Sequence, residues 1–257
     1  MNVRAAPALS LIGVAGLPLV QPGDDLVSLL VASLDRSGGS LRAGDVVVFA
    51  QKIVSKAEGR TVDLRRITPS ARARELARET GKDARLVEII LGESVRVVRS
   101  RKDVLIVEHR LGFVMANAGV DQSNVGGDDD LALLLPADPD RSAERLRDAL
   151  QARCGGTIAV IVNDSFGRPW RRGSVGVALG CSGLPALHDL RGRPDLFGRT
   201  LRITEVALAD EIAAAASLLM GQADEAVPAV VVRGLALQGP PLPACSLLRP
   251  PSEDLFR

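Results

Sequence analysis

The segment Asn163-Asp164-Ser165-Phe166-Gly167-Arg168-Pro169-Trp170-Arg171-Arg172-Gly173 gathers an acid, a hydroxyl, three arginines and the only tryptophan of the chain. Ile158 to Val162, just before it, is an apolar run that reads as a buried strand. A strand that releases into an acid and a hydroxyl presents two oxygen ligands to a hard cation. Arginines just beyond can hold carboxylates or phosphates with paired donors. Alone, the segment equally fits a solvated turn after a core strand, so its weight depends on what the rest of the chain supplies.

Further stretches of the same kind follow. Leu111 to Ala116 leads into Asn117-Ala118-Gly119-Val120-Asp121-Gln122-Ser123-Asn124, where an acid, amides and a hydroxyl again succeed an apolar run. Gln222-Ala223-Asp224-Glu225 forms a third polar loop. Val46 to Ala50 reads as a strand ending in a polar turn, Gln51 to Arg60, whose Lys52 and Lys56 suit phosphates. Oxygen ligands from dispersed strand ends are how magnesium or manganese is usually held, with phosphates completing the shell. Spacing therefore supports a metal–nucleotide site for phosphoryl transfer, while solvated turns stay open as the other reading. No Walker sequence, dinucleotide fingerprint or kinase signature is present. The acidic Gly126 to Asp130 lacks the alternating spacing and closing Glu of an EF-hand loop and reads as a solvated turn.

The elements that must position these groups are built without many aromatics. Hydrophobic residues make up 46% of the 257, but aromatics only 2%, with no Tyr, so the core is Val, Leu, Ile and Ala. That length allows one large domain or two small ones. A net charge of +1 gives no electrostatic case for nucleic acid or a membrane surface as partner. Cys154, Cys181 and Cys245 form no close pairs, which speaks against a disulfide framework or zinc knuckle and for a reducing cytoplasm. Two histidines, His109 and His188, exclude a histidine-rich metal site. Arg4 followed by Ala5 to Val20 superficially resembles a signal peptide, but Gly13, Gly16 and Pro18 interrupt it, so it reads as a first strand and loop. No apolar run reaches the roughly 20 residues of a spanning helix.

Helices are expected after Asp24 or Asp25, with Leu26, Leu29, Leu30 and Leu34 on one face, and over Ser70 to Thr80, Asp83 to Leu91 and Arg141 to Arg153. A longer one is expected over Glu205 to Met220, capped by Thr204. Strands are expected over Leu9 to Gly16, Val95 to Val98, Val104 to Glu108, Leu131 to Pro136 and Pro228 to Val232. The small-residue run Ser174 to Gly180 fits a strand under close backbone contact.

Five segments occur in order: Gly-Leu-Pro-Leu-Val-Gln-Pro-Gly-Asp-Asp (16–25), Ser-Lys-Ala-Glu-Gly-Arg (55–60), Ala-Asn-Ala-Gly-Val-Asp-Gln-Ser-Asn (116–124), the segment at 163–173, and Met-Gly-Gln-Ala-Asp-Glu (220–225). Together they closely resemble the coenzyme F-420-0:L-glutamate ligases, from about residue 10 to about 237. The resemblance implies an α+β fold, a mixed-sheet, two-lobed architecture particular to these gamma-glutamyl ligases, in interlocked homodimers. It implies one ligase domain over 1–240 and an extended tail over 241–257, in the form without a nitroreductase-like extension. It implies GTP as co-substrate, L-glutamate and F-420-0 as the other substrates, two divalent ions (magnesium or manganese) and potassium. Leu17, Pro18, Leu19, Val20, Gln51, Lys52, Lys56, Asn124 and the loop Met220, Gly221, Gln222, Ala223, Asp224, Glu225, Ala226 and Val227 would meet the nucleotide. Asp121, Asp164, Ser165 and Gln222 would ligate metal. Arg168, Arg171 and Arg172 are expected to hold the anionic acceptor or incoming glutamate, with structural ion pairing as the alternative. A metal-dependent nucleotide hydrolase or kinase, and a noncatalytic guanine-nucleotide-binding protein, are the rival classes.

Overall fold

The expected apolar runs meet in a five-stranded sheet in a computed structural model of the chain, which describes residues 8–254. Arg4 of the leading segment and positions 255–257 of the expected tail lie outside the described residues. The chain begins β1 (Ser10–Val14), α1 (Leu26–Arg36), β2 (Val46–Ala50) and α2 (Gln51–Ala57). An excursion follows through β3 (Thr61–Asp63), α3 (Ala71–Thr80), α4 (Ala84–Gly92), β4 (Ser94–Arg101), β5 (Val104–His109), β6 (Val114–Ala116) and β7 (Leu131–Leu133). It returns through α5 (Pro139–Cys154), β8 (Ala159–Arg168), β9 (Arg171–Ser182), β10 (His188–Asp189), β11 (Glu205–Val206), α6 (Leu208–Met220) and β12 (Ala229–Arg233). The main sheet has the order β1-β12-β2-β8-β9, with β2 and β8 parallel and the other pairs antiparallel. Smaller sheets join β4-β5-β6, β3-β7 and β10-β11, so the architecture is mixed α+β.

β2, β8 as far as Val162 and β12 as far as Val232 are apolar at every position because both faces are covered. Val47, Phe49, Val160, Val162 and Val231 face α1, α2 and α5, contacting Leu30, Leu34, Val54 and Leu150. Val46, Val48, Ile161, Val230 and Val232 face α6, whose Ala209, Ala213 and Ala216 let it lie close. Gly176 completes that fit, since a Cβ there would overlap Ala213 O and Ser217, while one on Gly180 would overlap Pro139 at the start of α5. The excursion has its own apolar cluster around Leu64, Leu76, Val87, Ile90, Leu105 and Val107.

Helix starts follow the expected chemistry: Asp25, Ser70, Asp83 and Asp138 each accept a hydrogen bond from the first turn they precede. Several boundaries differ from expectation, four of them for reasons the packing makes plain. The polar stretch after Val162 is no turn: β8 continues to Arg168, because the small residues of β9 pair with it throughout. Gln51 to Ala57 is a helix rather than a turn, since Ile53 and Val54 are buried against the sheet. Thr204 caps nothing; Glu205–Val206 pairs with His188–Asp189, and α6 starts at Leu208 with Asp210 and Glu211 in its first turn. The strand expected over Leu131 to Pro136 ends at Leu133, where Arg60 takes over the pairing. Residues 242–248 lie against the body: Leu242 bonds to Leu184 and Ala186, and Asp140 accepts from the Ala244 and Cys245 amides. Among the described residues no helix is long and apolar enough to cross a membrane.

Register brings the polar segments together. Val14 pairs with Ala229, Ala229 with Phe49, Phe49 with Val162, and Val162 with Gly180. Along that row the chain leaves β1, enters β12 and leaves β2 into α2, while β8 and β9 run past as a two-stranded overhang. Ligands favour the carboxyl end of a parallel pair.

Candidate functional site

α2 begins where β2 ends, and no side chain caps its first amides. Lys52 and Lys56 stand one turn apart and so share a face. Lys52 Nζ lies 2.7 Å from Asp121 Oδ2 and donates to Ser123 O (3.0 Å) and Ser123 Oγ (2.8 Å). Lys56 Nζ donates to Asn124 O (2.6 Å), and Asn124 Nδ2 donates to Ala223 O (3.2 Å). The 121–124 turn therefore bonds α2 on one side and the loop after α6 on the other.

Asp121 is fixed from behind by a two-way backbone bridge to Leu133 (3.1 and 2.8 Å). Ser123 braces its carboxylate through N–H (2.8 Å) and Oγ (3.1 Å). The chain beyond Leu133 is clamped in turn. Gln51 Nε2 donates to Leu134 O (3.2 Å), Arg60 Nε donates to Leu135 O (2.9 Å), and the Arg60 guanidinium pairs with Glu93 (3.1 Å).

Asp164 and Ser165 sit at the root of the β8–β9 overhang. An irregularity there sets Val162 opposite Gly180 but Asn163 opposite Ala178, leaving Leu179 as an extra residue on β9. Such bulges re-aim side chains beside active sites. Asp164 Oδ1 accepts from its neighbour's amide (2.8 Å), and Ser165 Oγ donates to Gln222 Oε1 (2.6 Å). Asn163 behind them donates to Ser217 Oγ (3.0 Å) and Met220 Sδ (3.3 Å), pinning the start of the 220–227 loop.

Burial pushes Asp164 up to about 6 against the Ser165 amide bond and the Lys52 charge, and the negative charge of Asp121 adds to the rise. The two carboxylates thus feel each other, although 43 sequence positions separate them. Burial also raises Asp121, but hydrogen bonds from Lys52 and Ser123 outweigh it and leave its pKa below the ordinary value. Burial and then the neighbouring Lys52 lower the Lys56 ammonium.

The arrangement fits a hard divalent cation. Asp164 is a desolvated carboxylate that no ion pair among the described residues holds, and its companions are a carboxylate, a hydroxyl and an amide, all oxygen donors. Among the described residues no group of three or more His, Cys, Asp or Glu is placed to hold a metal ion.

The structure treats the other expected residues unevenly. Leu19 is 86% exposed, whereas Val20 is packed into the core and Leu17 lies partly against it. Gln51 is buried, and its amide protons go to Ser55 Oγ (2.6 Å) and Leu134 O, so it underlies the site. Met220 and Val227 are half-buried, Val227 lying where a Cβ on Gly13 would touch it. Gly221 has φ +69° and its α-carbon faces the Glu225 carboxyl, while Glu225 Oε2 accepts from the Ala223 amide (2.8 Å). Gln222, Asp224 and Ala226 lie along the same loop, with Ala226 at φ 53°. Arg168, Arg171 and Arg172 are exposed at the hairpin tip, with Arg168 donating to Gly173 O (3.2 Å). Four strand steps put Arg168 roughly 13 Å from Asp164, beyond contact but within one extended substrate.

Ser123, Asn163 and Arg60 were not among the expected site residues. The Asp-x-Ser spacing at 121–123 carried a usable signal, since Ser two positions on commonly braces an Asp. Asn163 and Arg60 act through partners more than 30 positions away and leave no local trace. Of the non-glycine residues with positive φ among those described, Asn117, Ala118, Asn124, Trp170 and Ala226 all lie in the segments around this site. Such backbone is retained where surrounding structure over-determines it.

Comparison with known proteins adds a consistent picture. A family model described as F420-0:Gamma-glutamyl ligase matches residues 15–234. A coenzyme F420:L-glutamate ligase of Methanothermobacter thermautotrophicus is 52% identical over 254 residues, covering 97% of this chain and 99% of the relative. One of the same name from Methanopyrus kandleri is 49% identical, covering 93% of each chain. Another from Archaeoglobus fulgidus is 45% identical, covering 88% of each.

Proposed function

The chain belongs to the F420-0:gamma-glutamyl ligase family, and from that premise we propose that it joins L-glutamate to the terminal carboxylate of coenzyme F-420-0, driven by GTP. The observation that carries this reading is the meeting of Asp121, Asp164, Lys52, Lys56 and the 220–227 loop at one end of the main sheet. An acceptor carboxylate and a triphosphate repel each other, and this is where the fold concentrates cationic and cation-binding groups.

In this reading Leu17 to Val20 and Met220 to Val227 wall the nucleotide, with Lys52, Lys56 and Asn124 on its polar side. Gln51 supports that wall from below. Asp121, Asp164, Ser165 and Gln222 hold two divalent ions, magnesium or manganese. A divalent ion, when bound, offsets the repulsion between carboxylate and triphosphate and polarises the γ-phosphoryl group. Arg168, Arg171 and Arg172 hold the acceptor or the incoming glutamate at the distance the overhang sets. The F-420-0 carboxylate attacks the γ-phosphorus of GTP, giving an acyl phosphate and GDP. The α-amine of glutamate then displaces phosphate and forms the amide, and later glutamates attach through the γ-carboxylate of the previous one. The α2 ammoniums and the hairpin guanidiniums steady the anions through both steps.

Purified protein given GTP, Mn2+, L-glutamate and F-420-0 should release GDP and yield a product heavier by one glutamyl unit. GTP turnover that ignores the acceptor overturns the ligase step in favour of a hydrolase or kinase, and GDP binding without metal-dependent turnover favours a noncatalytic binder. Potassium belongs to the same proposal, tested by replacing K+ with Na+ in that assay. We further propose a two-lobed, interlocked homodimer acting in the cytoplasm. Its support is the exposed apolar tip Leu196 (98%), Phe197 (95%) and Ile203 (87%), which a second copy would cover, and light scattering in solution tests it.

A further inference from the structure

Lys52 makes its closest contact with a residue proposed above as a metal ligand. An ammonium has three protons to donate. Those of Lys52 meet three acceptors of a single turn: Asp121 Oδ2, Ser123 O and Ser123 Oγ. On Asp121, Oδ1 takes the Ser123 amide and Oδ2 takes Lys52 and the Ser123 hydroxyl. A cation therefore already sits on one of the two oxygens that Asp121 could offer a metal ion.

From this geometry we infer that Lys52 and the divalent cation compete for Asp121, so that an arriving metal must first release Lys52, and that this exchange couples metal to nucleotide. The inference rests on the proposed metal–nucleotide reading and deepens it. Magnesium binds carboxylate oxygens at about 2.0–2.1 Å, so an ion and an ammonium on one Oδ2 would stand a few ångströms apart and repel. Lys52 is free to leave: its side chain is 28% exposed and rides on a flexible four-carbon stem. Lys56, one turn along α2, is already held to the same turn through Asn124 O. A metal arriving alone costs Lys52 its partners. A metal arriving with a triphosphate supplies new ones within reach of α2, so metal and nucleotide should favour each other's binding.

The test uses the full-length protein and Mn2+ alone. By electron paramagnetic resonance of free Mn2+, Lys52→Met should bind Mn2+ roughly tenfold more tightly than wild type without nucleotide, a typical coupling between linked sites. A merely structural strut predicts the opposite, since the Asp121 turn would loosen and Mn2+ would bind more weakly. A second measurement needs no substitution: acylation of wild-type Lys52 by an N-hydroxysuccinimide ester, followed by mass spectrometry, should rise when Mn2+ is added. Tighter binding by the variant together with increased labelling supports the exchange. Equal or weaker binding by a folded variant, or labelling that Mn2+ does not move, overturns it and leaves the ligase reading standing. If the variant fails to fold, the labelling result alone decides. If Mn2+ binds neither protein, the metal assignment falls along with the inference.

Discussion

Replacing Asp164 by Asn should make the protein more stable and inactive at once. Burial holds the Asp164 carboxyl up at about 6, against an ordinary 3.8. Between those values the folded wild type binds a proton that the unfolded chain has lost, so its stability falls as pH rises through that window. Two pKa units correspond to about 3 kcal/mol. Because Asp164 keeps some opening to solvent, a working figure is about 1–3 kcal/mol at pH 7. Asn keeps the shape and can still accept the Ser165 amide, but it never ionises. At 2–4 °C per kcal/mol for a chain of this size, its Tm in chelator-treated buffer should exceed wild type by roughly 3–10 °C at pH 7.5. That advantage should shrink to a small remainder near pH 4, where folded Asp164 is protonated and the unfolded carboxyl is roughly half protonated. Added Mn2+ should raise the Tm of wild type alone. Calorimetry across pH 4 to 8 with ligation assays on the same samples gives the answer. An Asn variant less stable than wild type at pH 7.5, or a Tm difference that does not change with pH, would refute the claim that desolvation of this carboxylate is kept for binding a cation.

Other expectations follow from the same geometry. Asp121→Ala should lower kcat/KM for ligation by at least about 100-fold while circular dichroism stays native, and near-normal rates with saturating metal would remove Asp121 from the metal site. Lys56→Ala should raise KM for GTP by roughly tenfold and leave KM for glutamate nearly unchanged; equal weakening of both argues against its phosphate role. Gly176→Ala should cost about 2 kcal/mol or more in urea unfolding, because its Cβ would overlap α6 backbone and Ser217.

Much of the scaffold was legible in the residues. Both faces of β2 and the inner part of β8 are buried, so their apolar runs were unbroken, and Asp25 and Ser70 announced their helices through cap chemistry that is local. The errors fell where a polar segment is shaped by a distant partner. Asp164 to Arg168 looked like a turn because its outward side chains are polar, but β9 pairs with that backbone and keeps it extended. Gln51 to Ala57 looked like a turn because lysines dominate it, but the sheet buries Ile53 and Val54 and makes it a helix. The resemblance named Gln51 beside Lys52 as a nucleotide contact; the fold adds that its Nε2 protons go to Ser55 Oγ and Leu134 O, bonds that no local pattern discloses.

The chain's own residues thus determined which oxygens, ammoniums and guanidiniums were available, and which apolar or well-capped stretches would be strand or helix, because those choices depend on composition, caps and period over a few neighbours. Only the tertiary structure decided that Asp121 and Asp164 share one electrostatic neighbourhood, that Lys52 rests on the former, and that the three arginines stand at the far end of the overhang. Those relations follow from strand order and register across one sheet, and register joins residues that sequence separation cannot bring together.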